Sequence, residues 1–312
     1  MNNTTEIAGT DSYVAELMLI DRVPVWCRHF LTTFLAVAFL LGIPGNCLIV
    51  KVHYNLKKRS VTDWMVFYLA VSDLCSLSIC APSFIMTNVG VWNMIMPSWM
   101  CKIHFTTANM AFLSSNILIA FTALARVRKT LGKEDLISSK QACYFGIGII
   151  IGSLCFSSIA FILTGNNVNG HCYFIPEMKK LQMYVYIIYV VIALICSVIT
   201  FVSYGKIVVS LRNWRRIGPG EGNVNNAFNR NYLRSVRSSK IMGVVSFVFV
   251  ISAVIPGTSL SILMGMNLQI NLYLTNILIF FFSRIYFINN FANPLLYICM
   301  SSSFRRNMFS CT

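Results

Sequence analysis

The stretch Asn289-Asn290-Phe291-Ala292-Asn293-Pro294-Leu295-Leu296-Tyr297 lies near the end of the last long apolar segment of this chain. A proline inside a helix removes a backbone donor, and amide side chains in hydrocarbon must find partners. Polar residues at such depth usually mark a place where a membrane protein binds, moves or conducts. The stretch therefore indicates a membrane helix with a function in its interior.

The composition places the whole chain in the membrane. It has 312 residues, of which 56% are hydrophobic and 11% charged, and its mean hydropathy is +0.68. A soluble domain carries roughly a quarter charged residues. Apolar runs near the ~20 residues that cross a bilayer lie at 29–53, 62–90, 98–128, 140–164, 181–211, 240–265 and 270–299. Because lipid offers the backbone no partners, we expect an all-α protein, a seven-transmembrane helix bundle.

The segments on either side of the bundle have different characters. We divide the chain into an extracellular N-terminus at 1–28, a seven-transmembrane domain at 29–300 and a short cytoplasmic helix and tail at 301–312. The basic-aromatic residues 304–309 predict a short amphipathic eighth helix on the membrane surface. Cys311 beside it is a candidate for palmitoylation.

The distribution of charge gives the orientation. Most of the 25 lysines and arginines follow spans one, three and five or lie in the tail. By the positive-inside rule this side is cytoplasmic, so the N-terminus is expected outside. The net charge of +15 then reflects topology and anionic membrane lipids, and no nucleic-acid partner is expected. Asn2 and Asn3 begin overlapping acceptor sequons and are candidates for glycosylation.

Nine of the eleven cysteines fall into two groups. Cys101 begins the third span on the outside, and Cys172 lies in an outside loop that we expect to form a hairpin. Both face an oxidising compartment, so a disulfide between them is expected, with two free thiols as the alternative. Small apolar packing is the expected role of those inside the spans, which are Cys47, Cys75, Cys80, Cys143, Cys155, Cys196 and Cys299.

An ordered set of short motifs runs along the spans, with one or two in each span except the fourth. The set consists of Gly45-Asn46, residues 69–74 (Leu-Ala-Val-Ser-Asp-Leu), Cys101, Ala125-Arg126-Val127, residues 204–208 (Tyr-Gly-Lys-Ile-Val), Pro256 and residues 293–297 (Asn-Pro-Leu-Leu-Tyr). Across nearly the whole chain this set resembles the rhodopsin-like (class A) G-protein-coupled receptors, most closely those of neuropeptide type. The resemblance implies a multi-pass receptor of the plasma membrane that binds an extracellular ligand and activates a heterotrimeric G protein.

The resemblance also implies roles for single residues. Arg126 would meet the G protein, Tyr204 and Tyr297 would support it, and Pro256 and Pro294 would shape the moving helices. Twenty-five residues separate Cys101 from Arg126, about 37 Å of helix, so the two would lie at opposite membrane faces. An allosteric sodium ion is expected, with a hydrated polar network as the alternative. Its pocket would be formed by Asp73, Ser115, Asn289 and Asn293.

Several residues depart from the family pattern. Ala125 stands where an acidic residue usually precedes the arginine, Val254 where an aromatic residue precedes the proline, and Cys196 where span five usually has a proline. Without the acid, Arg126 lacks an ion-pair partner that resembling receptors use at rest. We therefore expect raised basal activity, and a receptor with reduced signalling is the competing interpretation.

The ligand class is constrained by what is missing. Ala108 disfavours an amine ligand, because amine receptors carry an aspartate there, and Phe287 disfavours retinal, because opsins carry a lysine there. The acidic N-terminus would attract a basic peptide, whereas Arg284 could bind a peptide carboxylate or extend to the headgroups. No cofactor is expected beyond the sodium ion. The candidate ligand-pocket residues are His104, Ala108, Asn109, Arg284, Tyr286 and Phe287.

Three other functions are alternatives to a neuropeptide receptor. A diverged orphan or chemosensory receptor would take a non-peptide ligand. A transporter or channel would use the polar cluster around Asp73 but often shows internal repeats, which this sequence lacks. An enzyme is not expected, since the sequence has neither a His-Glu-x-x-His motif nor a phosphate-binding Gly-Lys-Ser/Thr loop.

Overall fold

A computed structural model describes residues 23–89, 97–131, 133–166, 172–217, 236, 243–259, 272–300, 304–305 and 308. Asn2, Asn3, Cys311 and the acidic N-terminal residues lie outside the described residues, as does most of the predicted eighth helix. Phe304, Arg305 and Met308 are helical.

Helices occupy all seven predicted spans. Five of them are long and apolar enough to cross a bilayer, and a shorter apolar helix occupies the sixth span. The helices are α1 (Val25–Tyr54), α2 (Val61–Asn88), α3 (Ser98–Thr130), α4 (Ser139–Ser157, continued by Ala160–Leu163), α5 (Lys179–Ile217), α6 (Gly243–Ser259), α7 (Leu272–Ile285) and α8 (Phe287–Met300).

Local sequence signals fix where two of these helices begin. Ser60 and Asp63 form a capping box at the start of α2, and Ser138 and Gln141 form one at the start of α4. Each box satisfies backbone N–H groups that have no partner inside the helix. The capped N-termini of α2 and α4 both lie on the side that the basic residues mark as cytoplasmic.

The α3 helix lies at the centre of the bundle. It packs against α2, α4 and α5, and 72% of its most apolar 18-residue window is buried, compared with 22–50% for the other four long helices. The α8 helix packs against α1 and α2. Residues on α3 can therefore connect the outer and inner halves of the protein.

A small hairpin covers the outer end of α3. Strands β1 (Thr164–Asn166) and β2 (Cys172–Phe174) pair antiparallel, with Asn166 opposite Cys172, and β1 contacts α3. The hairpin predicted around Cys172 is therefore confirmed. Only this pair of short strands departs from the all-α expectation within the described residues.

The seventh span differs from the expected single helix. It is divided at Tyr286 into α7 and α8, while Pro294 lies inside α8. The break lies eight residues before the proline. At this position the hydroxyl of Tyr286 lies 3.2 Å from that of Ser76 on α2, and its ring packs on Phe287 at 4.3 Å between centroids. Tertiary contacts with α2 accompany this break.

Candidate functional site: a polar core between an outer pocket and an inner arginine

Asp73 lies at the centre of a buried polar cluster. Its side chain is 1% exposed, and its Oδ2 accepts a hydrogen bond of 2.8 Å from Nδ2 of Asn293 on α8. Nearby, the Oγ atoms of Ser72 on α2 and Ser114 on α3 are 2.7 Å apart. The structure thus joins α2 to both α8 and α3 at this level.

Oxygen atoms in this cluster lack partners. Oδ1 of Asp73, Oδ1 of Asn289 and Oδ1 of Asn293 are buried without a hydrogen bond. Asn289 and Asn293 are four residues apart on α8, so their side chains share one face. Unpaired carbonyl and carboxylate oxygens are the ligands that a hard cation prefers. The donor set therefore fits the predicted sodium ion.

The fourth predicted ligand, Ser115, is also buried. It follows Ser114, which bonds to the neighbour of Asp73, so it lies at the same level of the bundle. A further amide contact supports this layer, since Nδ2 of Asn46 donates to the backbone oxygen of Asn290 at 2.7 Å. The contact ties α1 to α8.

The predicted coupling residues lie together toward the basic end of the bundle. Arg126 is in the last two turns of α3 and interacts electrostatically with the hydroxyls of Tyr204 and Tyr297. The ring of Tyr204 on α5 faces Gly243 of α6. The charge of one arginine thus acts on tyrosine hydroxyls from both α5 and α8. Ala125 beside it is buried in the apolar core.

Pro256 and Pro294 are both buried. Pro294 packs against α1 so closely that a Cβ built on Gly45 would lie 2.6 Å from the proline ring. Pro256 follows a π-helical turn, Val250–Val254, in α6. Because π-turns often occur at functional sites and proline removes a backbone donor, this part of α6 has a loosened hydrogen-bond ladder.

Arg284 belongs to a buried aromatic cluster at the opposite end. It is 5% exposed, so the extension toward the headgroups considered above is wrong. Its Nε donates to Oδ1 of Asn88 at 3.3 Å, and its Nη1 donates to the carbonyl of Phe280 at 3.0 Å and to Oγ of Ser283 at 2.6 Å. The guanidinium also lies 4.5 Å from the ring centroid of Phe84.

The other candidate pocket residues surround this arginine to different degrees. The His104 ring meets that of Phe84 edge-on at 4.5 Å between centroids, and Phe84 also contacts Phe287. Phe287 is fully buried, with Ala108 and Tyr286 packed against its cluster. Asn109 is half-buried on α3. The structure thus gathers α2, α3, α7 and α8 around Phe84, and it gives Asn109 no specific contact.

Cys101 is disulfide-bonded. Its Sγ lies 3.8 Å from the carbonyl oxygen of Gly165 in β1, and β1 pairs with the strand that begins at Cys172. The cysteines predicted to pack inside the spans are free thiols, as is Cys27.

Two groups of residues at these sites were missed by sequence reasoning. Asn88 and Phe84 on α2 are the direct partners of Arg284, but neither stands in a motif. A crevice between α3, α5 and α6 is lined by Asn116, Ser197 and Ser246 as well as by Cys196. In the sequence, only the unusual Cys196 pointed to that region. The polar residues that line it lie on three separate helices, so they form no recognisable sequence pattern.

Comparison with known proteins places the chain in a family. Residues 45–297 match the 7 transmembrane receptor (rhodopsin family). The neuropeptide Y receptor type 2 of Cavia porcellus is 28% identical over 295 residues, which are 87% of this chain and 73% of that receptor. The probable G-protein coupled receptor 34 of Mus musculus is 24% identical over 297 residues, 89% of this chain and 75% of that protein. The C-C chemokine receptor type 9 of Homo sapiens is 27% identical over 150 residues, 45% of this chain and 40% of that receptor.

This chain therefore belongs to the rhodopsin family of seven-transmembrane receptors. It is a multi-pass membrane receptor with a seven-transmembrane helix bundle, and it is not an enzyme. The resemblance stated from its motifs is confirmed.

Proposed function

We propose that this receptor binds an extracellular ligand, a small neuropeptide, and activates a heterotrimeric G protein. The observation that carries the proposal is the course of α3. It begins at the disulfide-bonded Cys101 beside the hairpin, passes the polar core around Asp73, and ends at Arg126 against Tyr204 and Tyr297. A single rigid helix thus connects a ligand side to a G-protein side.

The mechanism is a shift between two populations. A ligand that packs between the outer halves of α3, α5, α6 and the seventh span, whose outer part is α7, favours one arrangement of these helices. The π-turn before Pro256 gives α6 a place to bend. Movement of α6 past Tyr204 would open the inner end around Arg126 to the G protein. Ligand and G protein then stabilise the same state, which makes their coupling reciprocal.

The polar core would hold the resting arrangement. Asp73, Ser115, Asn289 and Asn293 are the residues that would bind a sodium ion, which would supply positive charge to a carboxylate far from water. Asn293 already bridges α8 to Asp73, so expelling the ion would allow α2, α3 and α8 to close on one another. That closure would link the outer pocket to the inner arginine.

A peptide ligand is supported by three independent features. The sequence is similar to that of a receptor named for neuropeptide Y. Ala108 offers no carboxylate for an amine, and Phe287 is packed in the core where retinal would need a lysine. The acidic residues predicted outside, with the exposed Glu177, would attract a basic peptide by long-range steering.

The proposed topology has the N-terminus outside the plasma membrane. The described basic residues Lys51, Arg128 and Lys206 lie toward the inner ends of their helices, and Arg59 lies between α1 and α2. There they would face anionic lipid. Arg305 donates to the backbone oxygens of Ile298 and Cys299, so it caps the end of α8. With that orientation, Cys101 would pair with Cys172, Asn2 and Asn3 would carry glycans, and Cys311 would be palmitoylated inside.

The test is G-protein dissociation in cells that express the chain, first without ligand and then with a panel of neuropeptides. We expect at least one peptide to give a saturable response that Arg126→Ala abolishes while surface expression is retained. Arg128→Ala, two residues further along α3, is the matched control and should preserve the response. Silence to every peptide in a receptor that signals without ligand would contradict the peptide assignment and favour a non-peptide ligand.

A further inference from the structure

Arg284 is a buried cation that has no carboxylate partner in the part of the chain that the structure describes. Its hydrogen bonds go to an amide, a backbone carbonyl and a hydroxyl, and no ion pair joins it to an acidic residue of the described chain. A guanidinium is always charged, and a buried charge without a counter-charge is costly. Retention of such a group at membrane depth points to a function.

Donor groups without partners lie around the same arginine. Nε and Nη1 of Arg284 donate hydrogen bonds, whereas Nη2 has no partner among the described residues. Nδ2 of Asn88 is buried and unpaired, although Oδ1 of the same amide accepts from Arg284. Nδ1 of His104 is also buried and unpaired. Among the described residues, the cluster thus has a positive charge and spare donors but no negatively charged acceptor.

Phe84 holds these donors near one another. The guanidinium carbon of Arg284 and the ring of His104 each lie 4.5 Å from the Phe84 centroid. On its other side, Arg284 lies 3.6 Å from the ring centroid of Phe280. These rings exclude water and keep the fork of the guanidinium fixed, which strengthens any charge-assisted hydrogen bond made there.

The cluster lies within reach of the outer surface. Asn88 is the last residue of α2, and His104 is three residues after Cys101 at the outer end of α3. At ~1.5 Å per residue, His104 is about 4.5 Å deeper than Cys101. A ligand group entering from outside would therefore meet Arg284 about one helical turn inside.

We propose that this cluster is an oxyanion-binding site and that the ligand of this receptor presents a carboxylate to Arg284. The proposal rests on the receptor function proposed above and names the ligand chemistry of the outer pocket. The carboxylate accepts from Nη2 of Arg284, from Nδ2 of Asn88 and from the N–H of His104. Two sources offer this group, namely the free C-terminus of a peptide and the head of a fatty acid.

The site is tested with benzoate, a small aromatic acid that suits walls of phenylalanine. The full-length receptor is purified in neutral detergent, and its thermal unfolding is followed by labelling of buried thiols such as Cys27 and Cys80. Benzamide, which has the same shape without the charge, is the matched probe. We expect benzoate to raise the melting temperature by about 2 °C or more once it exceeds its dissociation constant several-fold, and benzamide to raise it less.

Variants tie that response to the cluster. Arg284→Gln should abolish the benzoate shift, while the exposed outer cation variant Lys180→Gln should keep it. Asn88→Ala leaves the guanidinium in place and should weaken the shift, so it provides the test if Arg284→Gln does not fold. Equal shifts with benzoate and benzamide, or a benzoate shift unchanged in both cluster variants, would overturn the proposal.

The source of the carboxylate is decided by two pairs of compounds in the same assay. One pair is a tetrapeptide with a free C-terminus and its C-terminal amide, and the other is decanoate and decanol. We expect the acid of one pair to stabilise the receptor more than its neutral counterpart, and that pair identifies the source. Preference for neither acid would overturn the ligand class. Because unfolding needs no G protein, failure here is distinct from failure of signalling.

Discussion

Burial of the Asp73 carboxylate costs free energy, and the same burial suits this residue to a function. A carboxylate with one amide partner and an unpaired second oxygen is expensive inside a membrane protein. A bound cation would lower that cost. Three helices would be affected, because Asp73 contacts α8 directly and lies beside the Ser72–Ser114 contact with α3.

We predict that sodium stabilises the receptor through Asp73. At ten times its dissociation constant, a bound ion adds about 1.4 kcal/mol to the free energy of unfolding. The melting temperature should therefore rise in sodium chloride relative to potassium chloride of equal concentration, and Asp73→Asn should remove that difference. Asp63→Asn, which loses a helix cap, should lower the melting temperature but keep the sodium effect. A sodium effect that persists in Asp73→Asn contradicts the prediction.

Ala125 offers a second test at the scale of one residue. It is buried beside Arg126 in an apolar cluster, so an aspartate introduced there can find a counter-charge only in the arginine. We predict that Ala125→Asp lowers ligand-free G-protein activation severalfold, because it supplies the missing resting ion pair. The check is basal nucleotide exchange at matched expression.

Ala125→Asn is the control for that substitution, since it has the same size without the charge. It should leave basal activation closer to that of the native chain. Basal activation that is unchanged in Ala125→Asp, or lowered equally in Ala125→Asn, would contradict the ion-pair explanation.

At the scale of helices, close approach depends on single glycines. Gly45 lets the ring of Pro294 lie against α1, and Gly146 lets the ring of Tyr68 lie against α4. We predict that Gly45→Ala and Gly146→Ala each destabilise the bundle by about 1–3 kcal/mol, because neither a proline ring nor a buried aromatic ring can move aside cheaply. Thermal unfolding measures the loss.

Two other glycines on α4, the helix of Gly146, serve as controls. A Cβ on Gly148 or Gly152 meets nothing within 4 Å, so alanine there should be neutral or slightly stabilising through its helix propensity. Destabilisation by all four substitutions alike would show that glycine matters for a reason other than packing.

In the polar crevice between α3, α5 and α6, we predict a substitution that raises the stability of the protein. Oδ1 of Asn116 is buried without a partner, and its Nδ2 bonds only within α3. Asn116→Leu should therefore stabilise the protein by about 1 kcal/mol. Asn46→Leu should destabilise it by a similar amount, because Asn46 bonds across to Asn290 on α8. Melting temperatures that move in the same direction would contradict this account.

How much of this could be read from the sequence differs from element to element. The spans followed from apolar length, and the hairpin around Cys172 and the position of Arg126 near the end of α3 followed from the motifs. The break at Tyr286 could not be predicted, because it accompanies a contact with Ser76 on another helix. For the same reason Arg284 was a candidate while its partners Asn88 and Phe84 were not.

At the scale of the molecule, the three sites form one axis along the central helix. Each site includes a residue of α3. This residue is His104 in the outer cluster, Ser114 in the polar core and Arg126 in the inner cluster. Because α3 is the most buried of the long helices, a change at one level must be accommodated by its neighbours at the others. Such packed cores tend to switch between arrangements rather than deform gradually.

The most direct test of this account is nucleotide exchange on purified heterotrimeric G proteins of each major class by the reconstituted receptor, without ligand. We predict exchange above the receptor-free rate for at least one class, at least tenfold reduced by Arg126→Ala and preserved by Arg128→Ala. Exchange that is equal with and without the folded receptor for every class, or that is indifferent to Arg126, would contradict the claim that this chain activates G proteins through the inner end of α3.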